Sequence, residues 1–174
     1  MTSAILSIGS NLGDRAEYLR RAVAGLADAV LVVSDVYESA AWGDPDQPAY
    51  LNAALLVAAE VSAVGWLHRA EALEQAAGRV RDPARRFGPR PLDVDVIAVW
   101  TDDGTPVHSE EPALILPHPR AHLRAFVLRP WLDIAPYAEL PGRGRVADLI
   151  RQEPVASDLA GLVRQAAVKL TDEH

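Results

Sequence analysis

Two carboxylates, Asp93 and Asp95, interrupt the most apolar strand-like run of the chain, FGPRPLDVDVIAVW at 87–100. Residues two apart on a strand share a face, so the spacing predicts both carboxylates side by side, with Leu92, Val94 and Val96 turned to the core. Adjacent carboxylates repel, and partial burial makes that worse. A hard divalent cation relieves both costs, and Mg²⁺ commonly takes one or two carboxylates, leaving the rest of its shell to phosphate oxygens and water. The plain alternative is a half-exposed strand whose acids face water, and a D-x-D pair alone does not separate the two.

The preceding segment bears on that choice. Five of the sixteen arginines, Arg79, Arg81, Arg85, Arg86 and Arg90, lie within twelve residues just before the acids. Guanidinium forks match phosphate oxygens, and Mg²⁺ with arginine is recurrent equipment for phosphoryl transfer. Gly78, Pro83, Gly88 and Pro89 predict an irregular loop, of the kind that closes over a substrate. Acids and arginines together favour a nucleotide-dependent transfer.

These side chains need a scaffold, and 174 residues suffice for one domain with a full core. Apolar residues at 49% and charged residues at 24% match an ordinary globular protein. A net charge of −7 disfavours a general nucleic-acid binder. No apolar run approaches the roughly 20 residues that span a bilayer, and MTSAILSIGS lacks the basic opening of a secretory signal. The chain has no cysteine, which excludes disulfides and thiolate metal sites, and a cytoplasmic location is expected.

Along the chain, AILSIG predicts a strand, and Asp14 caps a helix carrying Leu19, Val23 and Leu26. VLVVSDVYES (30–39) predicts a strand, and after a loop rich in glycine and proline LNAALLVAAEV (51–61) predicts a second, although its alanines leave a helix open. Ser62 caps a second helix, with Leu67, Ala70, Leu73 and Ala77 on one face, which ends at Gly78. The strand with the two acids follows. The last segment shows helical spacing at Leu159, Leu162, Val163, Ala166 and Leu170. This order, β-α-β-β-α-β with a loop-rich C-terminal third, predicts an α+β sandwich with helices over a mostly antiparallel sheet.

The segment GRVR…RFGPRPLDVDVI closely resembles the signature of the 6-hydroxymethyl-7,8-dihydropterin pyrophosphokinases of folate biosynthesis. SIGSNLGDR, WGDPDQPAYLNAA and LPHPRAHLRAFVLRPWLDIAP agree in order and spacing, so the resemblance runs from residue 4 to about 137. It implies a ferredoxin-like α+β fold and transfer of the terminal pyrophosphoryl unit of ATP to the hydroxymethyl oxygen of the pterin, giving AMP and the pterin diphosphate. It further implies a pyrophosphokinase domain over 1–145, with 146–174 as a C-terminal helical extension of the same domain. The expected enzyme is a cytoplasmic monomer that binds neither nucleic acid nor membrane.

The resemblance assigns roles residue by residue. Asp93 and Asp95 hold two Mg²⁺ ions bridging the triphosphate. Arg79 and Arg90 engage the phosphates and the transferring group, where fixed donors lower the barrier electrostatically. Glu74, Arg81, Phe87, His118 and Arg124 line the ATP site, with Arg85 and Arg86 as alternatives for a further contact. Phe87 replaces a tryptophan, keeping the aromatic surface without the indole donor. Gly9, Ser39, Trp42, Tyr50, Asn52 and Phe126 form the pterin site. There SAAWG replaces the usual threonine- and proline-containing turn, and Ser39 keeps a hydroxyl. A flat ligand with a dense polar edge calls for aromatic stacking and an amide, and Asn52 inside LNAALL can both donate and accept. A sensing module on the same scaffold has no use for paired acids beside arginines, and a nucleotidyl transferase would release pyrophosphate rather than AMP.

Overall fold

The computed structural model describes residues 1–41, 46–78 and 91–171. The chain runs β1 (Thr2–Ser10), α1 (Arg15–Gly25), β2 (Val30–Val33), β3 (Tyr37–Ser39), β4 (Tyr50–Ala59), α2 (Ala63–Ala76) and β5 (Asp93–Thr101). A hairpin, β6 (Ser109–Glu111) with β7 (Leu114–Leu116), precedes a 3-10 turn at Ala121–Leu123 and α3 (Ala125–Ile134). The C-terminal part holds a small hairpin, β8 (Glu139–Leu140) with β9 (Gly144–Arg145), then α4 (Val146–Leu149), α5 (Val155–Asp158) and β10 (Val163–Arg164).

Among the described residues, six strands form one antiparallel sheet in the order β10-β3-β4-β1-β5, with β2 also on β4. With β2 and β3 together in the place of one strand, the β-α-β-β-α-β order and this sheet make the expected ferredoxin-like α+β arrangement. Its two faces are covered separately. Leu6, Ile8, Leu55, Val94 and Val96 pack against Leu19 and Val23 of α1 and Trp66 and Ala70 of α2. Ile5, Ala54 and Ile97 pack on the other face against Leu128 and Trp131 of α3, with Val146, Leu149 and Val155 closing that layer.

Both predicted caps are formed: Asp14 accepts from the Glu17 amide and Ser62 from the Gly65 amide. Gly78 follows α2 at φ +79°, a left-handed conformation open to glycine at little cost. Two expectations change. VLVVSDVYES is not one strand but β2 and β3, broken where the Ser34 hydroxyl accepts from the Ala54 amide at 2.8 Å. The helical spacing over 159–170 does not form a helix either. A 3-10 turn at Leu159–Gly161 leads into β10, which pairs with β3. Tertiary contacts override the local pattern there. The Arg164 Nη2 donates to the Tyr37 hydroxyl at 2.7 Å, the Tyr37 hydroxyl bonds Asp133, and the Gln165 amide donates to the Val36 carbonyl at 2.8 Å.

Candidate active site

One end of the sheet opens into a cavity of about 540 Å³, walled by β1, β4, β5, α2, the β6–β7 hairpin and the start of α3. Asp93 and Asp95 lie on its floor, each partly buried, while Leu92, Val94 and Val96 are buried in the core. The strand neighbours of the acids on β1 are small: Gly9 stands opposite Asp93 and Ser7 opposite Asp95. That leaves room above the carboxylates. The expected same-face placement therefore follows directly from strand alternation.

Glu74, buried on α2, reaches the same strand: its Oε2 accepts from the Val94 amide at 3.1 Å. The bond falls between the two aspartates and fixes their strand, which sits at the edge of the sheet, against α2. Just beyond Asp95 the pairing of β5 with β1 shifts by one residue, so that Leu6 faces Val96 while Ile5 faces Ala98. Such bulges bend a strand. On the open edge of β5 the Ile97 carbonyl accepts from the His118 amide at 2.8 Å, which fastens the segment carrying His118 beside the acids.

His118 is set up as a neutral donor. Burial, then the Arg124 charge, lowers its pKa to about 4, although Asp93 pulls the other way. Its Nδ1 accepts from the Arg120 amide at 3.1 Å, so the ring proton of the neutral form resides on Nε2. Arg124, buried at the start of α3, places Nη1 3.7 Å from Asp95 Oδ2. Its guanidinium also lies 5.6 Å from the centroid of the Phe126 ring. A buried fixed cation, a neutral donor and two carboxylates thus share one wall. In a site of reduced dielectric such fixed groups act strongly on a charged ligand.

Gly9, Tyr50, Asn52 and Phe126 line the same cavity. A Cβ on Gly9 would come within 3.2 Å of Tyr50 Cδ1 and 3.4 Å of Asn52 Oδ1, so glycine keeps a slot open between ring and amide. Asn52 is buried, and its Nδ2 donates to Ser39 Oγ at 2.8 Å and to the Tyr37 carbonyl at 3.2 Å. Both amide protons are therefore used within the protein. The expectation that Asn52 both donates to and accepts from a ligand narrows to acceptance through Oδ1. Ser39 acts behind Asn52, orienting it.

The structure thus gathers Gly9, Tyr50, Asn52, Glu74, Asp93, Asp95, His118, Arg124 and Phe126 at one cavity, with Ser39 adjoining. Trp42, Arg79, Arg81, Arg85, Arg86, Phe87 and Arg90 lie outside the described residues. Sequence reasoning missed Ser7, Leu67, Ala70, Glu71, Ile115 and Arg120, which also line the cavity. The helical spacing of Leu67, Ala70, Glu71 and Glu74 was a usable signal, a stripe half apolar and half acidic.

The residues present suit a hard cation. Among the described residues no third histidine, cysteine or carboxylate joins the pair into a larger cluster. Two oxygen donors on a cavity floor, with space above them, match the way Mg²⁺ combines few carboxylates with phosphate and water. Among the described residues no helix is long and apolar enough to cross a membrane.

Residues 5–136 match the family described as 7,8-dihydro-6-hydroxymethylpterin-pyrophosphokinase. The chain is similar to the 2-amino-4-hydroxy-6-hydroxymethyldihydropteridine pyrophosphokinase of Mycobacterium tuberculosis, at 47% identity over 149 residues, covering 83% of this chain and 78% of that one. The protein of that name from Mycobacterium leprae is 49% identical over 151 residues, again covering 83% and 78%. The Methylorubrum extorquens protein of the same name is 39% identical over 168 residues and covers 94% of this chain and 99% of its own. Among solved structures, the HPPK-DHPS protein of Plasmodium falciparum superposes with a TM-score of 0.64 at 11% identity, over 94% of this chain. This chain spans 48% of that protein's length, and the likeness is one of fold.

Proposed function

The chain belongs to the 7,8-dihydro-6-hydroxymethylpterin-pyrophosphokinase family, and we propose that it transfers the terminal pyrophosphoryl unit of ATP to 6-hydroxymethyl-7,8-dihydropterin in folate biosynthesis. One observation carries the reading: a single cavity joins a phosphate-suited wall of Asp93, Asp95, His118 and Arg124 to a slot of Gly9, Tyr50, Asn52 and Phe126. The first wall suits the polyphosphate of the co-substrate ATP, and the slot suits a flat heterocycle with a polar edge.

In this reading the pterin hydroxymethyl oxygen attacks the β-phosphorus of ATP. The bond from that phosphorus to the α,β-bridging oxygen breaks, AMP leaves with the oxygen, and the hydroxyl proton passes to solvent. Asp93 and Asp95 would hold two Mg²⁺ ions, whose charge would offset that of the triphosphate. Little covalent chemistry falls to the protein, so its contribution is position and fixed charge. His118 donates a hydrogen bond from Nε2–H to a phosphate oxygen, and the Arg124 guanidinium supplies positive charge at the same wall. Glu74 holds the aspartate strand in place. Asn52 Oδ1 accepts from a ring-edge N–H, and Tyr50 and Phe126 flank the ring. By resemblance, Arg79, Arg81 and Arg90 add phosphate contacts, Phe87 covers the nucleotide, and Trp42 covers the pterin.

The test is incubation with ATP, Mg²⁺ and the reduced pterin, followed by product analysis. AMP and pterin diphosphate in equal amounts are expected. Release of ADP or of free pyrophosphate would refute the proposed transfer.

A further inference from the structure

The segment SIGSNLGDR matches a known family in sequence, yet beyond Gly9 the mechanism gives its residues no work. The structure shows where two of them go. Arg15, the first residue of α1, points its guanidinium across the mouth of the β3–β4 connection. Its Nη2 lies 2.9 Å from Glu38 Oε2 on β3, and its Nη1 donates to the Ala49 carbonyl at 2.9 Å, immediately before β4. Asn11, almost wholly buried, donates through Nδ2 to the neighbouring Pro48 carbonyl at 3.2 Å.

The two anchored stems carry the heterocycle slot. Glu38 precedes Ser39, Ala49 precedes Tyr50, and Ser39 and Tyr50 are register partners in the sheet. Pairing between β3 and β4 is short, running only from Tyr37–Asn52 to Ser39–Tyr50. Three residue pairs are a slender hold on strands that must keep a ring slot to within a fraction of an ångström. A planar guanidinium ties both strands through separate nitrogens in fixed directions, whereas an ammonium is one point with rotatable donors. The ion pair with Glu38 is partly exposed, with side-chain exposures of 31% and 37%, and adds little alone. The bond to a main-chain carbonyl sets the backbone itself.

We infer that Arg15, assisted by Asn11, is a positioning residue for the pterin half of the site, locking the stems that bear Ser39, Tyr50 and Asn52. The inference rests on the placement of the pterin proposed above. The Arg15–Glu38 and Arg15–Ala49 links do not reach the wall of Asp93, Asp95, His118 and Arg124, so the effect is selective for one substrate.

Steady-state kinetics on Arg15→Met, Arg15→Lys and Asn52→Leu test it. Arg15→Met is expected to raise KM for the pterin about 5- to 30-fold, the scale of losing one charged hydrogen bond at a half-exposed site. KM for ATP should stay within about 2-fold, and Arg15→Lys should recover part of the loss. Glu38→Leu breaks only one arm and carries the same test, with a smaller shift, if Arg15→Met does not fold. An unchanged pterin KM, or equal rises for pterin and ATP, overturns the inference. If Asn52→Leu weakens pterin while Arg15→Met does not, the bridge is refuted and the pterin placement stands. If folded Asn52→Leu binds pterin like wild type, the placement fails and takes this inference with it.

Discussion

Replacing Asn52 by leucine probes the slot at its most specific point. The side chain is 3% exposed, and its two amide protons are committed to Ser39 Oγ and the Tyr37 carbonyl. Leucine keeps the approximate volume and removes all three polar functions. Two losses follow, and they are separable. Within the protein, the Ser39 hydroxyl and Tyr37 carbonyl lose a donor, which costs stability on the order of 1–3 kcal/mol for buried polar groups. For a domain of this size each kcal/mol lowers Tm by about 2–4 °C. In the complex, a donor on the pterin edge meets a methyl group instead of Oδ1. An unpaired buried donor costs about 1–3 kcal/mol, so pterin affinity should fall roughly 5- to 150-fold.

Ser39→Ala provides the graded control. It removes one acceptor behind the amide but leaves Oδ1 in place, so a loss of about 0.5–1.5 kcal/mol, or roughly 2- to 12-fold, is expected. Calorimetric titration with the pterin in the presence of a non-hydrolysable ATP analogue gives the affinities, and titration with the analogue alone gives the reference. Nucleotide binding should be unchanged in both variants. Wild-type pterin affinity in a folded Asn52→Leu protein refutes the slot. So does a Ser39→Ala loss larger than that of Asn52→Leu, because Ser39 then contacts the ligand itself.

Other expectations test the remaining walls. Asp93→Asn and Asp95→Asn should each cut AMP production at saturating Mg²⁺ by at least about 100-fold with little change in Tm, the scale of losing one major electrostatic stabiliser. Weaker Mn²⁺ binding in the presence of the ATP analogue should accompany the loss, and near wild-type rates in both variants would remove the metal role. Gly9→Ala drives a methyl to 3.2 Å from the Tyr50 ring and should weaken pterin at least about 5-fold while sparing ATP; equal affinity would show that the slot is not used. His118 has a folded-state pKa of about 4 against an ordinary 6.5, so the folded ligand-free protein binds fewer protons than the unfolded chain between those values. Stability from this group is complete above pH 6.5 and lost as pH falls toward 4, amounting to about 2 kcal/mol by pH 5. Urea unfolding at pH 7.5 and pH 5 should show that difference shrink in His118→Gln, and an unchanged difference would refute the depressed pKa.

What could be read directly from the sequence was the part of the site that depends on local periodicity. Strand alternation alone put Asp93 and Asp95 on one face and Val94 and Val96 on the other. Asp14 and Ser62 were legible as caps because a cap is satisfied within three residues of itself. The order of elements was enough for an antiparallel α+β sheet. Asn52 stood out because a buried amide must find partners, though which partners could not be read.

Tertiary structure decided the rest, wherever a group answers to a residue far along the chain. No pattern in 92–100 announces the bulge beyond Asp95 or the His118 amide that meets the Ile97 carbonyl, because both exist only relative to other segments. Glu74 reads as one more acid on a helix until α2 packs against β5 and brings it to the Val94 amide. The Asn52 amide looked able to donate to a ligand until the β3–β4 register set Ser39 and the Tyr37 carbonyl beside it. Residues 159–170 carry helical spacing, yet Val163 and Arg164 become a strand because the edge of β3 offers backbone partners and Tyr37 and Asp133 offer Arg164 a hydroxyl and a carboxylate. Local spacing fixes which way a side chain points, whereas its partner depends on register and packing, to which distant parts of the chain contribute.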